Sequence, residues 1–238
     1  MSYIYLIRHA QAGSRDNYDV LSELGREQAR LLGEHLSRQD VQFEAVYAGG
    51  MQRQRLTAEI AREVIASRGV AVPEITIDER WNEFSLISVY RAIAQRMMED
   101  SPEFSRDYRE MQDAIRRDPH TTGGATGRCD AAVIRAWMAA RYDDYKGEAW
   151  SAFRERIEAS GSRLSNGDSG KAIAVFTSAT PVAILAAAAL ELSDEKFLSI
   201  LGVIYNSGIT ILRSRESDLR LFTFNSTPHL DPSGRTLR

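Results

Sequence analysis

The run Tyr3-Ile4-Tyr5-Leu6-Ile7 stops abruptly at Arg8-His9, and this break constrains the fold more than any other feature. Five successive apolar or aromatic residues, with no polar alternation, have the composition of a strand buried on both faces. Such strands belong to α/β sheets, and polar groups at their C-terminal ends lie where those sheets place ligands. The following residues continue the pattern. Ser22 suits a helix N-cap, and Gly25, Ala29, Leu32 and Leu36 then share one helix face. Ala45 to Tyr47 reads as a second strand and Gln52 to Ser67 as a second helix. Ile75 to Ile77 reads as a third strand, ending in the acidic turn Asp78-Glu79.

From 86 to 165 the periodicity turns helical, with stretches at Leu86–Asp100, Pro102–Arg117, Ala131–Lys146 and Ser151–Ser165. Loop chemistry at Asp118-Pro119 and Thr122-Gly123-Gly124 separates them. The spacing predicts a helical cap inserted within a single domain spanning 1–238. The α/β pattern then resumes: a strand at Lys171–Thr177, helices at Pro181–Leu192 and Asp194–Ile200, and a closing hairpin of Ile209–Arg213 with Leu219–Phe224. Strands interleaved with helices predict a three-layer α/β/α sandwich around a mixed, mainly parallel sheet of about six strands.

Composition narrows the partners. A formal net charge of −3 in 238 residues gives no general attraction to nucleic acid or an anionic membrane. An anion site must therefore come from a local cluster of basic groups. Cys129 is the only cysteine, which fits a reducing compartment, and residues 1–7 carry no signal-peptide pattern. The longest apolar stretch, Pro181–Leu190, is about half a membrane span. A soluble cytoplasmic protein is expected. The four histidines show no metal-ligand spacing, and Gly123-Gly124 with Gly127 lead into no Walker lysine, so no metal or cofactor is expected. His35 and His120 read as surface residues. Trp137, Met138 and Tyr142 read as core of the insertion.

Three polar clusters follow the first three strands: Arg8-His9, Arg53 at the start of the second helix, and Glu83. Converging on one sheet edge, they would make a phosphate site. Guanidinium forks match phosphate oxygens, a neutral imidazole is a nucleophile, and a carboxylic acid can protonate a leaving oxygen. Arg55 competes with Arg53, and Asp78 and Glu79 compete with Glu83, as plain solvated charges.

The order of these clusters resembles the histidine phosphatases of the phosphoglycerate-mutase-like superfamily. That family opens with a strand and Arg-His-Gly; here the run is Leu6-Ile7-Arg8-His9-Ala10. Its Leu-Thr-x-x-Gly-x-x-Gln-Ala helix start resembles Leu21-Ser22-Glu23-Leu24-Gly25-Arg26-Glu27-Gln28-Ala29. Its Tyr-Ser-Ser-Pro-Leu-x-Arg-x-x-Gln-Thr-Ala block is similar to the stretch Tyr47 to Ala58, with Arg53 on the family arginine. The family acid falls on Glu83 in Trp81-Asn82-Glu83, and Asn225 to Leu230 resembles the family tail. The resemblance implies metal-independent phosphomonoester hydrolysis through a phosphohistidine on His9. Glu83 would be acid and base, Arg8 and Arg53 would bind phosphate, and a small phosphorylated molecule would be the substrate.

Two positions depart from the pattern. Ala10 replaces the glycine after the nucleophile. Ser178, in Val175-Phe176-Thr177-Ser178-Ala179-Thr180-Pro181, stands where the family places a second histidine after a strand. Ser178 is then the expected third phosphate contact, neutral where an imidazolium would be charged; the plainer alternative is a residue at the start of a helix. One preorganised donor is worth roughly 10²–10³ in rate, against enzymatic accelerations of at least about 10⁶. The substitution therefore leaves two readings beside full activity: a weak enzyme, or a non-catalytic phospho-ligand binder. A mutase ranks lower, because Gln11-Ala12-Gly13 and Phe84-Ser85-Leu86 stand where mutases carry Glu-Ser-x-Trp-Asn and His-Tyr-Gly. His229 reads as structural. Arg128 and Arg135 are candidates to reach an anionic group of the substrate.

Overall fold

The computed structural model describes residues 2–13, 18–119, 121–165, 172–215 and 218–237. His120 and Lys171 lie outside them. The chain divides into two compact units, one formed by residues 1–83 and 156–238, the other by residues 84–155.

The first unit is an α/β sandwich on a six-stranded sheet. Its strands are β1 (Ser2–Arg8), β2 (Phe43–Ala48), β3 (Ile75–Ile77), β4 (Ala172–Thr177), β5 (Ile209–Arg215) and β6 (Asp218–Ser226), in the order β3-β2-β4-β1-β5-β6. β3, β2, β4 and β1 run parallel; β5 is antiparallel to β1, and β6 to β5. β4 is buried along its whole length and β1 nearly so, which is why both read as apolar runs without alternation. Side chains still alternate between the faces. Tyr5 and Ile7 of β1, with Ala172, Ala174 and Phe176 of β4, pack against Leu32 and Leu36 of α1 (Glu23–Ser37) and Ala58, Ala61 and Ile65 of α2 (Gln52–Ser67). Ile4, Leu6, Ile173 and Val175 fill the other face, where α7 (Ala179–Ala189) meets β1, β5 and β6. α7 is apolar on nearly every side because it is buried on nearly every side. The short α8 (Asp194–Leu201) follows it.

This topology fixes where a ligand site belongs. The chain leaves β1 through α1 toward β2, past β4 in the sheet, but leaves β4 through α7 toward β5, past β1. The connections diverge at the β1–β4 junction, and the crevice opens beyond the C-terminal ends of those two strands. Arg8 pairs with Thr177 in the register, so His9 and Ser178 are the first residues past the two adjacent ends.

The second unit contains α3 (Leu86–Asp100), α4 (Pro102–Arg117), α5 (Gly124–Met138) and the first residues of α6 (Trp150–Ser165), most of which belongs to the first unit. Its core is aromatic: Phe84 stacks on Trp137 with centroids 4.3 Å apart, and Trp150 and Phe153 pack edge-on or tilted around Trp137. The sequence expectation for α5, Ala131–Lys146, is displaced by about two turns. The helix starts at Gly124 because Ala125, Cys129, Val133 and Trp137 form the buried stripe. It ends because Ala140 takes φ 47°, with Ala140 N–H donating to Trp137 O and Arg141 N–H to Ala136 O, both near 3 Å. That is a Schellman termination built on alanine rather than the usual glycine, so no glycine marked it in the sequence. α7 also begins two residues before the expected Pro181, leaving Pro181 inside its first turn. No helix among the described residues is long and apolar enough to cross a membrane.

α1 and α2 approach closely at Gly33. A Cβ there would meet the backbone of Ala61 and Cβ of Val64 at 2.6–3.0 Å. Gly33→Val should therefore destabilise the fold by about 1–3 kcal/mol, the usual cost of overpacking. An unchanged urea midpoint would show that the two helices can separate freely.

Candidate active site

Five of the residues singled out in the sequence, Arg8, His9, Arg53, Glu83 and Ser178, are gathered at the C-terminal ends of β1 and β4. His9 N–H donates to Thr177 O at 2.8 Å, which continues the ladder one step past β1. The His9 carbonyl accepts from Asn206 Nδ2 at 3.1 Å and from Ser207 N–H at 3.2 Å. Ala10 N–H donates to Thr57 Oγ1 at 3.0 Å, and that hydroxyl donates to the Arg53 carbonyl at 2.7 Å. The loop behind His9 is thus tied to β4, to α2 and to the turn before β5.

The His9 ring is 2% exposed and its tautomer is determined. Nδ1 lies 2.8 Å from Ala10 O. A carbonyl can only accept, so Nδ1 carries the proton and Nε2 keeps its lone pair in the neutral ring. Arg53 Nε donates to Nε2 at 3.2 Å. Burial first, then the charges of Arg53 and Arg8, hold the His9 pKa well below 6.5. The imidazole is therefore neutral at neutral pH.

Arg8 and Arg53 are both buried. Arg8 Nη1 donates to Ile204 O, its side chain also bonds Tyr18, and its Nε has no partner among the described residues. Burial lowers its pKa, while Tyr18 and the Glu83 carboxylate act in the opposite direction. Arg53 rather than Arg55 faces inward; Arg55 is exposed. Arg53 lies 4.9 Å from the Tyr18 ring centroid, and its Nη1 pairs with Asp19 at 2.9 Å. Tyr18 also packs edge-on to His9 at 6.2 Å.

Of the competing acids, Glu83 is the one whose charge acts on Arg8. Its Oε2 accepts from Thr180 N–H, in the first turn of α7, at 3.0 Å. Arg156 of α6 braces the same segment by donating to the carbonyls of Arg80 and Asn82. Asp78 instead caps the short turn Glu79–Trp81 and pairs with Arg80, and Glu79 is exposed. Ser178 is the backbone N-cap of α7, but its side chain makes no capping bond. Its Oγ accepts from Gln54 Nε2 at 2.8 Å.

Other candidates lie elsewhere. His229 is half-buried, with Nε2 2.8 Å from Ser207 Oγ and its ring 5.9 Å from His35. His35 is half-buried rather than a surface residue, because α1 turns it toward His229. Arg128 is exposed and pairs with Asp107 and Glu110; Arg135 is exposed. In the second unit Trp137 is core, whereas Met138 and Tyr142 are only partly buried. Tyr18, Asp19, Gln54, Asn206 and Ser207 escaped sequence reasoning. Only Ser207 carries a local oddity, a φ of 52°, and that is invisible in one sequence.

A switch-point crevice lined by Arg8, His9, Arg53, Glu83 and Ser178, on this strand order, defines an α/β protein of the phosphoglycerate mutase-like fold. The chain belongs to the histidine phosphatase superfamily (branch 1), whose family model matches residues 4–136 and 127–227. Solved structures with the same fold include a phosphoserine phosphatase from Entamoeba histolytica, at TM-score 0.63 and 16% identity over 97% of this chain and 100% of that one. An α-ribazole phosphatase from Shigella flexneri has TM-score 0.62 and 20% identity over 94% and 96%. A phosphoglycerate mutase from Bacillus anthracis has TM-score 0.62 and 16% identity over 96% and 94%. No curated protein matches by sequence.

Two histidines shielded from water set an acid limit. His229 is pushed down to about 4, mainly by burial, and His9 is also depressed. The unfolded chain therefore binds protons first as pH drops below about 6.5. Stability should fall with pH, and the His229 part of that loss should run from about 6.5 to about 4. Thermal melts of His229→Gln should show a shallower decline over this window. An identical slope would mean that His229 does not titrate with folding.

Proposed function

We propose that this protein is a metal-independent phosphomonoester hydrolase working through a phosphohistidine on His9. The observation that carries the reading is the ring of His9: Nδ1 is committed to Ala10 O, and Nε2 keeps its lone pair toward the buried Arg53 guanidinium, with the charge of buried Arg8 also acting on the ring. Arg8 Nε, buried and without a partner among the described residues, calls for an anion there.

In the proposed reaction Arg8, Arg53 and Ser178 hold the phosphoryl oxygens. His9 Nε2 attacks phosphorus in line as the ester P–O bond breaks, and Glu83 gives its proton to the leaving oxygen. Glu83 then takes a proton from water, which attacks the phosphohistidine and releases phosphate. Arg53 already lies against Nε2, so its positive charge opposes protonation of the nucleophile in the free protein and stabilises the transferring group during reaction. Structural relatives whose names include phosphoserine, α-ribazole and glucosyl-3-phosphoglycerate phosphatases support a small phosphorylated substrate.

A second reading, a weakly active or non-catalytic phospho-ligand binder, draws on two features. The Ser178 hydroxyl carries no charge, and Asp19 occupies one arm of the Arg53 fork. Turnover of p-nitrophenyl phosphate in the presence of a chelator separates the two readings. The hydrolase reading predicts turnover that His9→Ala reduces by at least about 10³-fold; absence of turnover in the wild type favours the binder.

Glu83→Gln should slow esters with poor leaving groups by roughly 10²–10⁴-fold. It should affect p-nitrophenyl phosphate far less, since that leaving group needs little protonation. Equal losses on both substrates would assign Glu83 a structural role.

A further inference from the structure

α2 places a second polar side chain beside Arg53. Gln54 is fully buried, and both ends of its amide are engaged. Nε2 donates to Ser178 Oγ at 2.8 Å and to Trp81 O at 3.2 Å, while Oε1 accepts weakly from Met51 N–H at 3.4 Å. Because the Trp81 carbonyl can only accept, the nitrogen end must be the end facing Ser178. The preceding loop is shaped around this side chain. A Cβ on Gly49 would overlap Gln54 Oε1 and press on Asn82 Oδ1, the atom that accepts from Gly50 N–H at 2.6 Å.

A hydroxyl has one proton and two acceptor lone pairs. The Gln54 amide nitrogen is donor-only, so it consumes a lone pair of Ser178 and leaves the proton to be donated elsewhere. Among the described residues that proton meets no acceptor, and the side chain makes no capping bond to α7. Ser178 is also the residue next to His9 across the β4–β1 ends.

We propose that Gln54 is a positioning residue for the phosphate site: by donating to Ser178 it turns that hydroxyl into an obligate donor toward the bound phosphoryl group. The proposal rests on the phosphatase reading above. It explains how a neutral serine works as a directed contact at this strand end: its rotor is fixed by a buried amide rather than left to point at any acceptor.

A double-mutant cycle tests it. Gln54→Met keeps the length of the side chain and removes the donor. Gly49→Ala displaces Gln54 without removing it and serves if Gln54→Met folds poorly. Each is made in the wild-type and Ser178→Ala backgrounds. The readouts are inhibition by orthovanadate, affinity for inorganic phosphate, and kcat and KM for p-nitrophenyl phosphate. Ser178→Ala should weaken vanadate inhibition and lower kcat about 10-fold, the scale of one neutral hydrogen bond. Gln54→Met alone should cost nearly as much, and less than about 2-fold more once Ser178 is alanine. Losses that simply add in the two backgrounds, or no loss at all, overturn the proposal. In either of those cases a wild type that still binds vanadate and turns over substrate keeps the phosphatase reading. A wild type that binds neither phosphate nor vanadate overturns both.

Discussion

The hydrogen bond between His9 Nδ1 and the carbonyl of its own neighbour, Ala10, is short in sequence and wide in consequence. It decides which nitrogen holds the proton and therefore which can act as a nucleophile. The bond exists only if the Arg8–Ala10 segment is rigid, and the structure spends much of its polar bonding there. Thr177 and Gly208 take the ladder bonds of His9 and Arg8, Asn206 and Ser207 hold the His9 carbonyl, and Thr57 holds Ala10. Gln28 of α1 extends the brace. It accepts from Gln11 N–H and donates to Gly234 and Thr236 of the C-terminal tail, and Thr236 in turn bonds Asn206. Residues more than 200 positions apart thus fix one imidazole.

Electrostatics work in the same direction. Two buried guanidinium groups beside a buried imidazole keep the ring neutral and create a strong demand for an anion. Tyr18 and Asp19 meet part of that demand at the mouth of the site through the Arg8 bond, the Arg53–ring contact and the Arg53 ion pair. Asp19 is about half exposed, so water screens its pair with Arg53 far more than a bound phosphoryl group would be screened.

The sheet, and most of the candidate site, were legible in the sequence for one physical reason. Strands buried on both faces are apolar without interruption, so the places where they stop are conspicuous, and the stops of β1 and β4 carry Arg8-His9 and Ser178; Glu83, six residues past the exposed edge strand β3, was legible only from its block. Arg53 was legible from its block and from its place at the start of α2, and burial now separates it from Arg55. The bracing residues were not legible. Gln54 matters through Ser178, 124 positions away, and Asn206 and its neighbour Ser207 through His9, 197 positions from Asn206, and no local pattern encodes such pairings. α5 was misplaced for the opposite reason: its ends depend on a left-handed alanine and on which stripe becomes buried, and neither is a composition signal.

The central claim is that His9 carries the phosphoryl group. It is tested most directly by mixing the protein with a ³²P-labelled phosphomonoester, quenching in alkali where phosphohistidine survives, and mapping the label. The account predicts acid-labile, alkali-stable label on His9 that is lost in His9→Ala and accumulates when water attack is slowed in Glu83→Gln. Label on another residue, or turnover that persists in His9→Ala, would contradict it.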